Sequence, residues 1–102
     1  MMGSNLATRG ERIRALLEAG LSEPQVEVID ESHLHIGHAG AREGKGHFRA
    51  HIVSSSFAGL RPLQRHQLVY RILNEMMQAE IHALNILALT PEEAKASNLQ
   101  GA

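Results

Sequence analysis

The residues HFRAHIVS at His47–Ser54 indicate the central element of the fold, because apolar and polar residues alternate through them. Alternation with a period of two indicates a β-strand with one face towards a core and the other towards solvent. The apolar face would carry Phe48, Ala50 and Ile52, and the polar face His47, Arg49 and His51. The sequence on either side should therefore supply the elements that cover the apolar face.

The segment before this strand predicts a helix, a second strand and a long loop. Thr8 and Glu11 have the spacing of a capping box, and apolar residues recur at helical spacing from 13 to 21. Val26–Asp30 then reads as a strand, which should pair antiparallel with the strand that follows. The glycine- and histidine-rich stretch Ser32–Gly46 reads as a loop, and loops of this length in small domains are often functional.

The segment after the strand predicts a helix, a third strand and a last helix. Pro62 suits the first turn of a helix that continues over 63–77, and 81–89 is a short apolar run typical of a buried strand. Thr90 and Glu93 form a second capping box around Pro91. We expect one domain over 1–102, ordered over about 8–96 with a frayed tail at 97–102.

This order of elements predicts an α+β fold, with helices on one face of a three-stranded mixed sheet. The second and third strands are joined through a helix, so they should pair in parallel with a right-handed crossover. Parallel strands begin at the same edge of a sheet. His82, at the start of the third strand, should therefore lie close to His47 and the histidine-rich loop.

Composition narrows the classes of function. The 102 residues are 43% hydrophobic with a formal net charge of −1, which gives no overall attraction to nucleic acid or anionic membranes. No apolar run could span a bilayer and no secretory signal is recognised, so we expect a cytoplasmic protein with no membrane partner. The chain lacks cysteine, a nucleophile elbow, a phosphate-binding loop and an HExxH motif. We therefore expect a binding protein and not an enzyme.

Histidine is the candidate ligand. The chain has seven histidines, and His33, His35 and His38 form a cluster that could bind a transition metal without matching a specific zinc signature. The alternative for these residues is a hydrated surface loop. His82 opens an apolar strand, so it is either a hydrogen-bonded structural residue or a ligand. His66 falls inside an apolar helical stripe, which favours a core position.

Two features suggest nucleic acid. Gly37–Gly40 matches the GXXG pattern of KH domains, but it lies between strands and not between helices, so we interpret the match as accidental. The segment 61–71 resembles a helix-turn-helix and lacks acidic residues; its candidate contacts are Arg61, Arg65, His66 and Arg71. The alternative to a nucleic-acid contact is a solvated basic surface, with the stem of Arg65 packed on the core.

Several motifs occur in an order that resembles the BolA-like proteins. They are Asp30-Glu31-Ser32, His47-Phe48, Ile52-Val53-Ser54, Phe57-x-Gly59, Arg65-His66-x-x-Val69-Tyr70 and Ile81-His82-Ala83-Leu84. The resemblance extends over about 13–93 and implies a two-layer α-β-β-α-α-β fold, followed here by a further helix and related to class II KH domains. It also implies that the helix starting near Leu63 is interrupted near Arg65-His66.

The resemblance also implies a function. BolA-like proteins pair with monothiol glutaredoxins and share a [2Fe–2S] cluster with the cysteine and glutathione of that partner, in cluster trafficking or iron sensing. The invariant ligand corresponds to His82, and the loop ligand to His35, with His38 as the alternative. Lacking cysteine, the chain falls in the subgroup with a histidine in the loop and should hold no cluster tightly alone. Imidazole ligation raises the cluster potential and can be reversible.

Bacterial members of the same family are also described as transcription regulators. The resemblance implies that Arg65-His66 and the helix that follows would read DNA. Gln67 departs from the arginine often found at its position, which removes one basic group. A DNA-binding regulator is therefore the alternative function, with DNA as the partner.

Overall fold

A computed structural model describes residues 7–35 and 45–101. The helices are α1, Arg9–Gly20; α2, Pro62–Ile72; α3, Asn74–Ala79; and α4, Pro91–Gly101. The strands are β1, Gln25–Asp30; β2, Gly46–Val53; and β3, Ile81–Leu89, and short 3-10 turns occur at Ser32–His35 and Ser55–Phe57. The predicted α+β order of elements is confirmed.

The sheet has the predicted mixed topology. Its strand order is β1-β2-β3, with β1 antiparallel to β2 and β2 parallel to β3. Val28, Ala50 and Ile86 form one row across it. Because the crossover from β2 to β3 runs through α2 and α3, the first residues of both parallel strands lie at one edge.

The core lies between the sheet and the helices. Phe48, Ala50 and Ile52 are at most 2% exposed, as their alternation predicts. Helical residues complete this core, among them Ile13, Leu17, Val69, Leu73 and Met76. The opposite face carries exposed or half-exposed residues such as Glu27, His51 and Leu87. The helices therefore cover one face of the sheet, as predicted.

Both predicted capping boxes are present. The Thr8 hydroxyl accepts from the Glu11 N–H at 3.1 Å, and the Glu11 carboxylate accepts from the Thr8 N–H at 2.9 Å. At α4 the Thr90 hydroxyl accepts from the Glu93 N–H at 3.1 Å, and Glu93 accepts from the Thr90 N–H at 3.0 Å. These bonds satisfy backbone donors that helix starts leave free.

The predicted helix interruption near Arg65-His66 is wrong. α2 runs unbroken through both residues, because Pro62 sets its start and no glycine or proline follows inside it. The interruption falls at Leu73, whose φ of −98° and ψ of 17° leave helical geometry. Leu73 is fully buried, so the chain turns there around a core side chain.

Two further expectations are corrected. His66 is half-buried beside Pro62 and Leu87, outside the buried core. Part of the predicted loop, Ser32–His35, forms a 3-10 turn. α4 is described from Pro91 to Gly101. Within the described ranges, the helices are all too short or too polar to cross a membrane.

Candidate functional site

Two histidines meet at the edge where β2 and β3 begin. The ring centroids of His47 and His82 are 5.0 Å apart, and the ring planes are tilted by 47°. This confirms that the parallel crossover brings His82 beside His47. His47 is 8% exposed, whereas His82 is exposed, so the pair consists of a buried ring and an accessible one.

A β-bulge presents His82 to solvent. Gly46 pairs with Ile81 and His47 pairs with Ala83, so His82 has no paired position on β2. As a result, two consecutive residues of β3, His82 and Ala83, are exposed between the buried Ile81 and a buried leucine. Bulges commonly redirect a side chain at the end of a sheet.

The start of β3 is anchored on both sides. The Gly46 N–H donates to the Glu80 carbonyl oxygen at 2.9 Å. The Glu80 carboxylate accepts from Arg12 Nη1 at 2.8 Å and from Arg9 Nε at 3.3 Å. The hydrogen bond from Arg12 is the main reason that the pKa of Glu80 is lowered. These contacts fix the backbone two residues before His82.

The loop leaves β1 through a tightly bonded turn. The Glu31 N–H donates to the His47 carbonyl oxygen at 2.8 Å, and the His47 N–H donates to Ser32 Oγ at 3.1 Å. The Ser32 N–H donates in turn to Asp30 Oδ1 at 2.9 Å. The 3-10 turn that starts at Ser32 and ends at His35 is thereby tied to the strand that carries His47.

The predicted loop ligands are only partly within the structure. The backbone of His35 ends the 3-10 turn, while its side chain and the whole of His38 lie outside the described residues. His33 is exposed on the same turn. Among residues 7–35 and 45–101, no group of three or more His, Cys, Asp or Glu side chains could hold a metal. A complete metal site would therefore need donors from elsewhere.

Arg65, a candidate nucleic-acid contact, is engaged within the protein. Its guanidinium donates to the carbonyl oxygens of Leu60 and Ala88 at 2.9 and 3.0 Å, and to both Glu93 oxygens at 2.6 and 3.1 Å. Its side chain is 12% exposed. Hydrogen bonding from Arg65 and from the Thr90 N–H holds the pKa of Glu93 at about 2. Arg65 thus joins α2, β3 and α4.

The other members of the basic segment are more open. Arg61 precedes α2 and Arg71 lies in its last turn, and both are exposed. The half-buried His66 lies on the same helix. The segment therefore offers two exposed arginines, a smaller basic surface than the sequence suggested.

The sequence did not indicate three residues that hold together the edge where β2 and β3 begin. Gly46 and Glu80 hold the two strand starts together, and Ser32 fixes the turn beside them. Gly46 carried a usable signal, since a glycine at the start of a strand often marks a bulge or a close backbone approach. The carboxylate contacts of Glu80 depend on α1 packing, which no local pattern indicates.

Comparisons with known proteins agree with this fold. A family model described as "BolA-like protein" matches residues 17–93. The chain is 42% identical over 99 residues to SufE-like protein 1, chloroplastic/mitochondrial, of Arabidopsis thaliana, covering 89% of this chain and 27% of that protein. It is 46% identical over 71 residues to the DNA-binding transcriptional regulator BolA of Haemophilus influenzae, covering 70% of this chain and 66% of that protein. Neither relative is named for an enzymatic activity.

Solved structures give the same result. The BolA domain of SufE1 from Arabidopsis thaliana matches with a TM-score of 0.75 and 43% identity, covering 86% of this chain and 98% of that one. The solution structure of BolA1 from Mus musculus matches with a TM-score of 0.72 and 41% identity, covering 90% and 73%. The chain spans less than two thirds of the two curated relatives above, so it corresponds to one domain of the longer one.

Proposed function

The chain belongs to the BolA-like family, and from that premise we propose that it is a non-enzymatic partner of a monothiol glutaredoxin. The two proteins would share a bridging [2Fe–2S] cluster, with the glutaredoxin cysteine and glutathione on one side and histidines of this chain on the other. The role would be cluster trafficking or iron sensing in the cytoplasm.

The observation that carries this proposal is the exposed His82 at the bulge. A ligand to a cluster shared between two proteins must project from the surface, yet stand on backbone rigid enough to hold its direction. His82 is exposed, and the residues just before it are fixed by the pairing of Gly46 with Ile81 and by the bonds to Glu80. A ligand presented on a strand end is more precisely positioned than one on a free loop.

The donor set of the chain fits a shared cluster. Without cysteine, it can offer iron imidazole nitrogen, carboxylate oxygen or the phenol oxygen of its one tyrosine, but no thiolate. Two histidines on one iron with thiolates on the other is the donor pattern of Rieske-type [2Fe–2S] centres. A cluster held by this chain alone would lack thiolates, so the partner must supply them.

The second ligand in this proposal is His35, with His38 as the alternative. The 3-10 turn starts from backbone bonded to His47, and it ends at His35. This connection supports an arrangement in which loop and strand donors approach the same iron. The two loop histidines stay alternatives until each is replaced separately.

The chain's own residues would perform two tasks. His82 and the loop histidine would hold one iron through ring nitrogens. Glu80 and Gly46 hold the strand starts that set the direction of His82. The replacement of thiolate by neutral imidazole lowers the negative charge on the cluster, which favours its reduced form.

The test is a titration of the purified protein with a cluster-loaded monothiol glutaredoxin in the presence of glutathione. Visible absorption and circular dichroism should change in proportion to added protein up to one chain per cluster. The protein alone, reconstituted anaerobically with iron and sulfide and then desalted, should be colourless. A stoichiometric cluster on the isolated protein, or unchanged glutaredoxin spectra, would contradict the proposal.

A DNA-binding role is the second candidate, favoured by the name of the Haemophilus influenzae relative. Because Arg65 is engaged by Glu93 and two carbonyl groups, phosphate contacts would depend on Arg61 and Arg71. Such binding should be weak and steeply salt-dependent. Sequence-selective binding that survives Arg61→Ala and Arg71→Ala together would exclude this surface.

A further inference from the structure

We propose that His47 is a positioning residue: its buried ring holds the ring of His82 in one orientation at the sheet edge. This inference rests on the proposed function for its meaning, because it concerns how a ligand is aimed. The orientation itself belongs to the protein without any cluster. It can therefore be tested separately.

His47 is buried, although its strand position predicts exposure. Strand alternation puts it on the polar face of β2 with Arg49 and His51, which are both partly exposed. His47 is nevertheless 8% exposed, and its Nε2 is shielded from solvent. Its burial is therefore a local property of the sheet edge and not of the whole face.

The ring of His47 packs against the ring of His82. At the bulge, His82 has no opposing position on β2, so strand pairing alone does not restrict its side chain. The ring of His47 lies 5.0 Å from that of His82 and is tilted by 47° to it, which is an ordinary packing arrangement for two rings. The buried ring of His47 therefore restricts the rotamers that the exposed ring of His82 can adopt.

His47 and His82 differ in how accessible they are to a partner. Because His47 is only 8% exposed and its Nε2 is shielded, its ring cannot reach an iron atom carried by a partner unless the sheet edge repacks. His82, in contrast, is open to a partner. The two neighbouring histidines therefore have different tasks, with His82 as the ligand and His47 as its support.

The backbone of His47 is held independently of its ring. Its carbonyl oxygen accepts from Glu31 and its N–H donates to Ser32, so the turn that leads to His35 stays attached when the side chain is changed. Substitutions of the His47 side chain thus test its ring contact with His82 and leave the backbone bonds to Glu31 and Ser32 in place.

The experiment without cluster measures the side-chain rotamer of His82 by NMR, from the three-bond couplings around its χ1 angle. The wild type should show one dominant rotamer. His47→Ala should give averaged couplings, and His47→Phe, which keeps a ring, should restore values close to the wild type. Couplings in His47→Ala identical to the wild type would overturn the proposal. So would averaged couplings in a folded His47→Phe protein.

The experiment with cluster uses the same variants in complex with glutaredoxin. Residues that orient metal ligands typically contribute about 10–100-fold to metal affinity. We therefore expect transfer of the cluster from the His47→Ala complex to a chelator to be about tenfold faster, with His47→Phe near the wild type. Equal rates for all three proteins would overturn the inference. If the wild type forms no complex, the proposed function fails while the rotamer measurement stands.

Discussion

Replacing Gly46 by alanine tests how closely the sheet edge beside the histidines is packed. A Cβ atom at this position would lie 2.6 Å from Cε2 of Phe48 and 2.8 Å from Oγ of Ser32. Carbon atoms in contact are normally about 3.5–4.0 Å apart, so the added methyl group is too close by about 1 Å. Phe48 is 2% exposed, so its ring cannot move aside into solvent.

The expected cost follows from that overlap. Inserting a methyl group into a packed region costs about 1–3 kcal/mol. We expect about 2–3 kcal/mol for Gly46→Ala, because both a buried ring and the hydroxyl that accepts from His47 must move. For a domain of this size, that loss corresponds to a fall in melting temperature of roughly 8–24 °C. Thermal and urea unfolding followed by circular dichroism would measure it.

Gly10→Ala is the matched control. A Cβ at Gly10 would have its nearest neighbour, Val28 Cγ1, at 3.7 Å, which is an ordinary contact. Since Gly10 lies in α1, alanine should leave the stability unchanged or raise it by up to about 1 kcal/mol. A Gly46→Ala protein as stable as the wild type would refute the packing argument. An equal loss in Gly10→Ala would do the same.

Two further predictions concern the contacts of α4 and the basic segment. Glu93 has its folded pKa lowered to about 2 from an ordinary 4.5, so its stabilising effect is complete above about pH 4.5 and is lost as the pH falls towards 2. The melting temperatures of wild type and Glu93→Gln should therefore differ at pH 7 and converge near pH 2, with a smaller gap at high salt; a pH-independent gap would contradict this. Arg65→Ala should lower the free energy of unfolding by about 1–3 kcal/mol, because it leaves two carbonyl groups without their charged donor. Arg61 is exposed, so Arg61→Ala should lower it by less than about 0.5 kcal/mol. Equal losses in urea unfolding would contradict this.

The sequence predicted the features that depend on local pattern and chain order. The alternation in 47–54 identified β2 and its core face, and the capping boxes at Thr8 and Thr90 identified two helix starts. The helix between β2 and β3 required a parallel crossover. From that requirement alone His82 was expected beside His47, and the two rings lie 5.0 Å apart.

The features that were missed depend on tertiary contacts. The bulge shifts the register between Gly46 and His47, and its glycine looked like one more loop glycine. The burial of His47 runs against its strand alternation, and the ring of His82 packs against it at the sheet edge.

The remaining errors have the same origin. Arg65 looked like a surface charge, but Glu93 lies 28 residues further on and no sequence pattern pairs the two. The interruption at Leu73 carries no glycine or proline, so composition gave no sign of it.

Pulsed EPR can show whether His82 binds iron in the shared cluster. The chain would be labelled with ¹⁵N-histidine, mixed with unlabelled cluster-loaded glutaredoxin and glutathione, and reduced for pulsed EPR. We expect strong ¹⁵N coupling to the cluster in the wild type and in His51→Ala, the control variant, which replaces a histidine on the open face of β2. In folded His82→Ala the coupling from the His82 nitrogen should be lost, leaving at most the coupling from the loop histidine. Unchanged ¹⁵N coupling in His82→Ala would show that His82 is not a ligand of the cluster.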